Sequence, residues 1–91
     1  AQAEVANAEA TLSSLEAERL SNLSNVKFNE KEYQRYSNLA DQGAVARSVA
    51  DDYTNRIATA KAQLNAIDKR IAAQKATVAQ QEKALAAARA N

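Results

Sequence analysis

RYSNLADQGAVARSVADDY, residues 35–53, contains the only glycine of the chain. Gly43 lies between two long segments that are free of proline and rich in helix-forming residues. A glycine adopts the left-handed conformation that ends many helices. The sequence therefore predicts an all-α fold, a two-helix antiparallel coiled-coil hairpin, in which a long rod ends in a tip near residues 41–48.

The predicted hairpin covers the 91-residue chain as one domain, with a first helix over about 2–41, a tip turn over about 42–47 and a second helix over about 48–90. An arm of about 40 residues is roughly 60 Å long at 1.5 Å per residue. The chain starts without methionine, already in a helical pattern, and it ends in an equally helical stretch. We therefore expect it to be a fragment of a larger protein.

The composition favours a narrow apolar contact between two helices, here called the seam, over a globular core. Of 42 apolar residues 23 are alanine, which leaves 19 larger ones for 91 positions. So few large side chains can line the contact between two helices but cannot fill a globular core.

The net charge of the chain is +1, whereas nucleic-acid binding depends on a basic surface, so we expect no nucleic-acid partner.

The distribution of charge suggests that the two halves pair. Residues 1–42 have seven acids and four bases, and residues 43–91 have four acids and eight bases. Antiparallel arms would thus carry opposite charges, a modest gain because exposed pairs contribute only about 0.2–1 kcal/mol each.

Heptad patterns predict the seam. In the second arm two positions recur every seven residues: Ala50, Ile57, Leu64, Ile71, Val78 and Leu85, and then Tyr53, Ala60, Ile67, Gln74, Gln81 and Ala88. The two glutamines weaken this seam. One sector of the first arm carries Val5, Ala8, Leu12, Leu15, Leu23, Val26 and Tyr33. The step from Leu12 to Leu23 is eleven residues, which predicts a straighter helix than a strict heptad does.

Serine and asparagine are frequent in residues 21–25, SNLSN, and both disfavour helix interiors. A break in this segment would give a three-helix bundle. Leu20, Leu23 and Val26 carry apolar character across the segment, however, and no glycine or proline interrupts it. The two-helix interpretation is therefore preferred, with the bundle as its alternative.

Around the tip, Gly43 is predicted to be the first residue beyond the helix end. Ser48-Val49-Ala50-Asp51 has the pattern of a capping box, which would place Ser48 at the start of the second helix.

Residues that carry catalysis are missing from the sequence. It has no histidine or cysteine and no glycine-rich phosphate loop, so we expect neither an enzyme nor a cofactor. Asp51 and Asp52 point about 100° apart on a helix, which favours compensation of the helix dipole over a metal site. No apolar run approaches the roughly 20 residues of a membrane span.

A second stripe on the first arm points away from the predicted seam, and its members are Phe28, Glu32, Arg35 and Leu39. Isolated exposed apolar residues are common, so a solvated face explains it. Alternatively, a leucine and an arginine four residues apart suit docking into a groove of a partner, where the guanidinium meets carbonyls or carboxylates. Both interpretations stay open on these grounds alone.

The tip resembles one family, the periplasmic adaptor or membrane fusion proteins (haemolysin-D-like) of tripartite export pumps. Their hairpin tips look like RYxxLxxxGAVSxxxxD, and this chain matches at Arg35-Tyr36, Leu39 and Gly43-Ala44-Val45. Residues 60–66, AKAQLNA, are similar to the AxAQLxA stretch of the family's returning helix. The family's serine falls on Ala46. Either that contact is missing, or the turn is two residues longer and Ser48 takes the role.

The resemblance implies a role without catalysis. It implies that the hairpin lies in the periplasm, with the full-length protein anchored to the inner membrane, and that several copies pack side by side into a ring or tube. The tips would engage a TolC-like outer-membrane channel, and domains absent here would meet an inner-membrane transporter for efflux or secretion. Channel contacts are implied at the tip, at Arg35, Leu39, Gly43, Val45, Ala46 and Ser48.

Two alternatives come from other classes. A structural coiled-coil spacer would have no channel partner, and it would not need Arg35 and Leu39 on an outward face. An amphipathic lipid-binding bundle would need a broad apolar face with aromatic and lysine flanks, which the sequence lacks.

Overall fold

Two α-helices joined by one turn make up residues 2–90, the part of the chain that the computed structural model describes. Helix α1 spans Gln2–Asp41 and helix α2 spans Arg47–Ala90. The helices pair in antiparallel fashion, so the predicted class, an all-α two-helix hairpin, is confirmed. Within residues 2–90, neither helix contains a stretch that is long and apolar enough to cross a membrane.

Helix α1 continues through residues 21–25 without a break, which excludes the three-helix alternative. The reason is packing, since Asn22 and Leu23 are both half-buried. Leu20 does not contribute to that packing, because its side chain is 66% exposed. The expectation that Leu20 belongs to the apolar stripe is therefore wrong.

The structure divides into two compact units. The end unit comprises residues 2–19 and 66–90, and the tip unit comprises Leu20–Asn65. In the end unit Leu15, Ile67 and Ile71 are buried together, and Leu12 packs against them. Beside this cluster Arg19 Nε donates to Asp68 Oδ1 at 2.5 Å.

The tip unit has a seam of smaller residues. Val26, Asn29, Ala50 and Ala60 are its buried side chains. Alanines allow a close approach of the helices but bury little apolar area. Asn29 is buried without being orphaned, because its amide donates to the carbonyl oxygen of Asn25 at 2.9 Å.

Burial agrees with the predicted seam. Every predicted position of α2 from Ala50 to Leu85 is buried or half-buried, whereas Ala88 is exposed. All seven predicted positions of α1 are also buried or half-buried. The eleven-residue step is not a gap in the repeat, since Arg19 and Asn22 are half-buried at the intervening heptad positions.

Cross-helix ion pairs show the predicted complementarity in part. Acids of α1 face bases of α2 in the pairs Glu18–Arg70 and Glu30–Lys61, each at 3.7 Å. The pair of Arg19 with Asp68 has the reverse polarity.

The turn follows the glycine-based helix ending that the sequence predicts. Gly43 has φ 75°, in the left-handed region. Its N–H donates to the carbonyl oxygen of Ala40 at 3.0 Å, and the next N–H, of Ala44, donates to that of Leu39 at 2.9 Å. These two bonds define a Schellman motif, which satisfies carbonyls that the end of α1 leaves without helical partners.

The start of α2 differs from the prediction. The helix begins at Arg47, and the carbonyl oxygen of Ala46 accepts the N–H of Val49 at 3.1 Å. Ala46 is therefore the N-cap residue, and Ser48 lies inside the first turn. The capping box headed by Ser48 is wrong, because the short Schellman turn brings the chain into helical conformation two residues earlier.

Candidate functional site

The six residues that the sequence assigns to the tip differ in accessibility. Four of them are exposed, and these are Arg35, Gly43, Ala46 and Ser48. Leu39 and Val45 are half-buried. All six belong to the tip unit and lie on the last two turns of α1, on the connection or on the first turn of α2.

Arg35 reaches out from α1 but is held by two neighbours. Its Nη2 donates to Glu32 Oε2 at 2.7 Å and to the hydroxyl of Tyr36 at 3.1 Å. The negative charge of Glu32, followed by the interaction with Tyr36, raises the pKa of Arg35 above its usual value. Like any arginine it is cationic, and 60% of its side chain is exposed.

Tyr36 links Arg35 to the second helix. Its ring stacks on Tyr53 of α2, with 5.3 Å between centroids and 6° between planes. Arg35 Cζ lies 4.9 Å from the centroid of Tyr36, and Arg56 Cζ lies 4.8 Å from that of Tyr53. We call these four residues the Arg–Tyr ladder. Cation–π contacts of this kind stabilise exposed sites by about 0.5–1 kcal/mol each.

Leu39 does not point freely outward as the sequence stripe predicts. It is half-buried, because its position on α1 flanks Ala40 and Tyr36, which are half-buried at seam positions. Phe28, the other apolar member of the stripe, is 57% exposed and agrees with the prediction. The fourth member, Glu32, is half-buried like Leu39. The stripe is therefore exposed at Phe28 and Arg35 and partly packed at Glu32 and Leu39, so the prediction of an outward face is wrong for the last two.

Arg47 ties the start of α2 to the end of α1. Its Nη2 pairs with Asp41 Oδ1, and its Nη1 donates to Ser37 Oγ at 3.4 Å. The hydrogen bond and the charge of Asp41 raise the pKa of Arg47 above its usual value. These contacts lie beside the turn that Gly43 makes, so the turn is closed by side chains as well as by backbone bonds.

A polar groove of about 330 Å³ lies further along the tip unit. It is lined by Asn25, Asn29, Asn55, Arg56, Thr59, Ala60 and Gln63. Four of these seven side chains are amides, which do not act as general bases, and none is a carboxylate. Over residues 2–90 no group of three or more acidic side chains is placed to hold a metal ion.

The sequence interpretation misses the Arg–Tyr ladder. It places Tyr53 in the seam of α2 and Tyr36 in the family pattern, but it does not pair the two rings. The available signal is the heptad register, since Tyr36 follows the seam residue Tyr33 by three positions.

Comparison of the chain with protein-family models, with curated proteins and with solved structures finds no match.

Proposed function

We propose that the chain is the α-hairpin of a periplasmic adaptor, or membrane fusion, protein, and that its tip docks to a TolC-like outer-membrane channel. One observation carries this proposal. The tip pattern that resembles the adaptor family coincides with the actual turn, because Gly43 stands in that pattern where the chain takes its left-handed φ of 75°. The other matching residues, Arg35, Tyr36 and Leu39, lie on the last two turns of α1, which lead into that turn.

The tip chemistry suits a contact with another protein and not catalysis. Arg35 offers an exposed cation with donors for carbonyl or carboxylate oxygens. The half-buried Leu39 and Val45 supply apolar area in the same tip unit. Ala46 is exposed at the N-cap, so the register without a longer turn is preferred, and Ala46 takes the position of the family's serine. Ser48, exposed in the first turn of α2, flanks that contact.

Two exposed surfaces of the tip unit fit the proposed side-by-side packing of copies. Leu20 and Phe28 project from α1 with exposures of 66% and 57%. On α2 the exposed residues Ala58 and Ala62 are small. Large apolar side chains on one copy would pack over small ones on the next and remove the apolar area from water.

The rest of the proposed role would fall to other domains of a full-length adaptor. Domains flanking the hairpin would meet an inner-membrane transporter, and the hairpin would occupy the periplasm. The assembled system would export a substrate without any cofactor or catalytic step in the hairpin.

The test is binding of the chain to a purified TolC-like channel in detergent, measured by surface plasmon resonance. Arg35→Ala should weaken binding roughly tenfold or more, the effect of losing hydrogen bonds to a charged group. Lys31→Ala is the matched control, since Lys31 is an exposed cation one turn earlier on α1. Equal affinities of wild type, Arg35→Ala and Lys31→Ala would favour the structural spacer, in which Arg35 serves only its contacts with Glu32 and Tyr36.

A further inference from the structure

Glu32 and Arg35 form an asymmetric ion pair. The Arg35 side chain is 60% exposed, whereas that of Glu32 is only 16% exposed. Exposed carboxylates on helices usually move freely, and their pairs hold neither partner in place. A packed carboxylate is different, since its position is fixed by its surroundings and it fixes the nitrogen to which it bonds at 2.7 Å.

Tyr36 holds the same nitrogen from a second direction. Arg35 Nη2 donates to its hydroxyl at 3.1 Å while the guanidinium carbon lies 4.9 Å from its ring centroid. The ring cannot turn away freely, because it is stacked on Tyr53 of the other helix at 5.3 Å. The orientation of Arg35 is therefore tied to the pairing of α1 with α2.

These contacts also decide which donors are left for a partner. A guanidinium can bind a carboxylate in a forked manner through either of two pairs of nitrogens, Nε with Nη2 or Nη1 with Nη2. Nη2 belongs to both pairs. Nη2 is engaged by Glu32 and Tyr36, so among residues 2–90 the donors left without an acceptor are those of Nε and Nη1. Such an arginine suits separate oxygen atoms better than one chelating carboxylate.

We propose that Glu32 and Tyr36 are positioning residues, which hold the Arg35 guanidinium in the orientation that a partner meets. The inference rests on the proposed function of the tip. Ordering a long side chain at an interface is unfavourable, and a chain that orders it beforehand avoids that loss on binding. Glu32 and Tyr36 thus act on the partner only through Arg35.

Guanidinium order is measured directly by the heteronuclear NOE of the Nε–H group of Arg35 in the ¹⁵N-labelled chain. The chain has six arginines, which keeps these signals resolvable. Glu32→Gln removes the charge that strengthens the bond to Nη2, and Tyr36→Phe removes the hydroxyl that accepts from it, while both keep the size of the side chain. Each should therefore lower the NOE of Arg35. The NOE of Arg19, whose Nε donates to Asp68, should not change.

Matched controls separate positioning from general effects. Glu30→Gln removes a carboxylate that pairs with Lys61 and not with Arg35, and Tyr33→Phe removes a hydroxyl from the other half-buried tyrosine of α1. Neither control should change the NOE of Arg35. An unchanged NOE in Glu32→Gln and Tyr36→Phe, with a circular dichroism spectrum like that of wild type, would overturn the inference.

A double-mutant cycle of Glu32 and Arg35 tests whether the order of the Arg35 guanidinium affects the affinity for the channel. Glu32→Gln should weaken binding about two- to tenfold, the cost of ordering one long side chain. It should weaken binding no further when Arg35 is already alanine. An equal loss in both backgrounds would make Glu32 an independent contact and overturn the inference. If Arg35→Ala itself left the affinity unchanged, the proposed function would fail, while the NOE would still report whether Glu32 and Tyr36 order the guanidinium.

Discussion

Gln74 Nε2 donates a hydrogen bond of 2.9 Å to the backbone carbonyl oxygen of Ala8 on the opposite helix. A glutamine at a seam position predicts a weak point in a coiled coil, yet here it connects the two helices directly. Ala8 is buried, and its small side chain leaves its carbonyl accessible to the amide. The bond links these two positions across the seam, so it favours the register that the end unit adopts.

Removing this amide should therefore destabilise the hairpin. We expect Gln74→Ala to lower the free energy of unfolding by about 0.5–1.5 kcal/mol, the net contribution of one hydrogen bond. Urea denaturation followed by circular dichroism measures the change. Gln80→Ala is the control, since Gln80 is exposed on the same helix and should change stability by less than about 0.5 kcal/mol. Equal losses from the two substitutions would show that the cross-helix bond has no net effect.

The end unit contains the buried apolar cluster, so truncation there should cost the most. We expect Ile71→Ala to lower the free energy of unfolding by about 2–5 kcal/mol. The lower part of that range applies, because Ile71 is 8% exposed and the described residues include no fully buried large side chain. Leu20→Ala removes a similar volume from a residue that is 66% exposed and should change stability little. Comparable losses for the two variants would contradict the register of the seam.

Leu64 occupies the same seam as Ile71 but is only half-buried. Leu64→Ala should consequently cost less than Ile71→Ala. Lys61→Ala should cost less again, because its side chain is 59% exposed and its ion pair with Glu30 spans 3.7 Å. Thermal melts of the three variants at equal concentration give the order, and a larger loss in Lys61→Ala than in Leu64→Ala would contradict the heptad phase.

The fold follows from local signals, which explains why the sequence predicts it. Heptad spacing defines the seam of each helix, and Gly43 defines the turn by its backbone freedom alone. The start of α2 is harder to predict, because serine at residue 48 is a better N-cap residue than alanine at 46. The tertiary contacts of Arg47 with Asp41 and Ser37 accompany the earlier start.

The site is less predictable than the fold. Exposure of Arg35 follows from the helical wheel, since it lies away from the seam. To predict that Tyr36 stacks on Tyr53, one must know how the two helices are aligned along their axes. Periodicity within one helix does not give that alignment. The same holds for Leu39. A helical wheel places it on the outward face, whereas in the structure it is half-buried.

The left-handed conformation of Gly43 should make this position sensitive to any side chain. Gly43→Ala should destabilise the hairpin by about 1–2 kcal/mol, the cost of placing an L-residue in that region. Steric overlap adds nothing, because a Cβ atom at this position meets no atom within 4 Å. Gly43→Asn should cost less than Gly43→Ala, since asparagine tolerates this conformation. Chemical denaturation of the two variants checks the order, and equal stability of Gly43→Ala and wild type would contradict it.

Alanine substitutions of Arg35 and of Leu39 should lower the free energy of unfolding by different amounts. Arg35→Ala removes an exposed ion pair and a cation–π contact, which solvent screens, so the loss of stability should be small. Leu39→Ala removes a half-buried side chain, and we expect a larger loss of about 1–2 kcal/mol, part of the full cost of a buried leucine. Urea titrations measure both. A loss for Leu39→Ala no larger than that for Arg35→Ala would restore the outward orientation that the sequence predicts for Leu39.

Ala46 and Ser48 allow the sharpest test of the turn. Ala46 is the N-cap residue of α2, and alanine is among the poorer residues for that position. Ala46→Ser should therefore stabilise the chain by about 0.5–2 kcal/mol, since its hydroxyl can accept an N–H of the first turn that alanine leaves without a side-chain partner. Ser48→Ala should change stability by less than about 0.5 kcal/mol, because Ser48 is exposed inside the helix.

Melting temperatures of the two variants show which residue caps α2. If Ser48→Ala destabilised the chain and Ala46→Ser did not stabilise it, the helix would begin at the later residue. The same pair also tests the docking register. Under the proposed function, a serine at position 46 restores the family's residue and should strengthen channel binding, whereas Ser48→Ala should leave binding within about twofold of wild type, as expected for a flanking residue outside the centre of the contact.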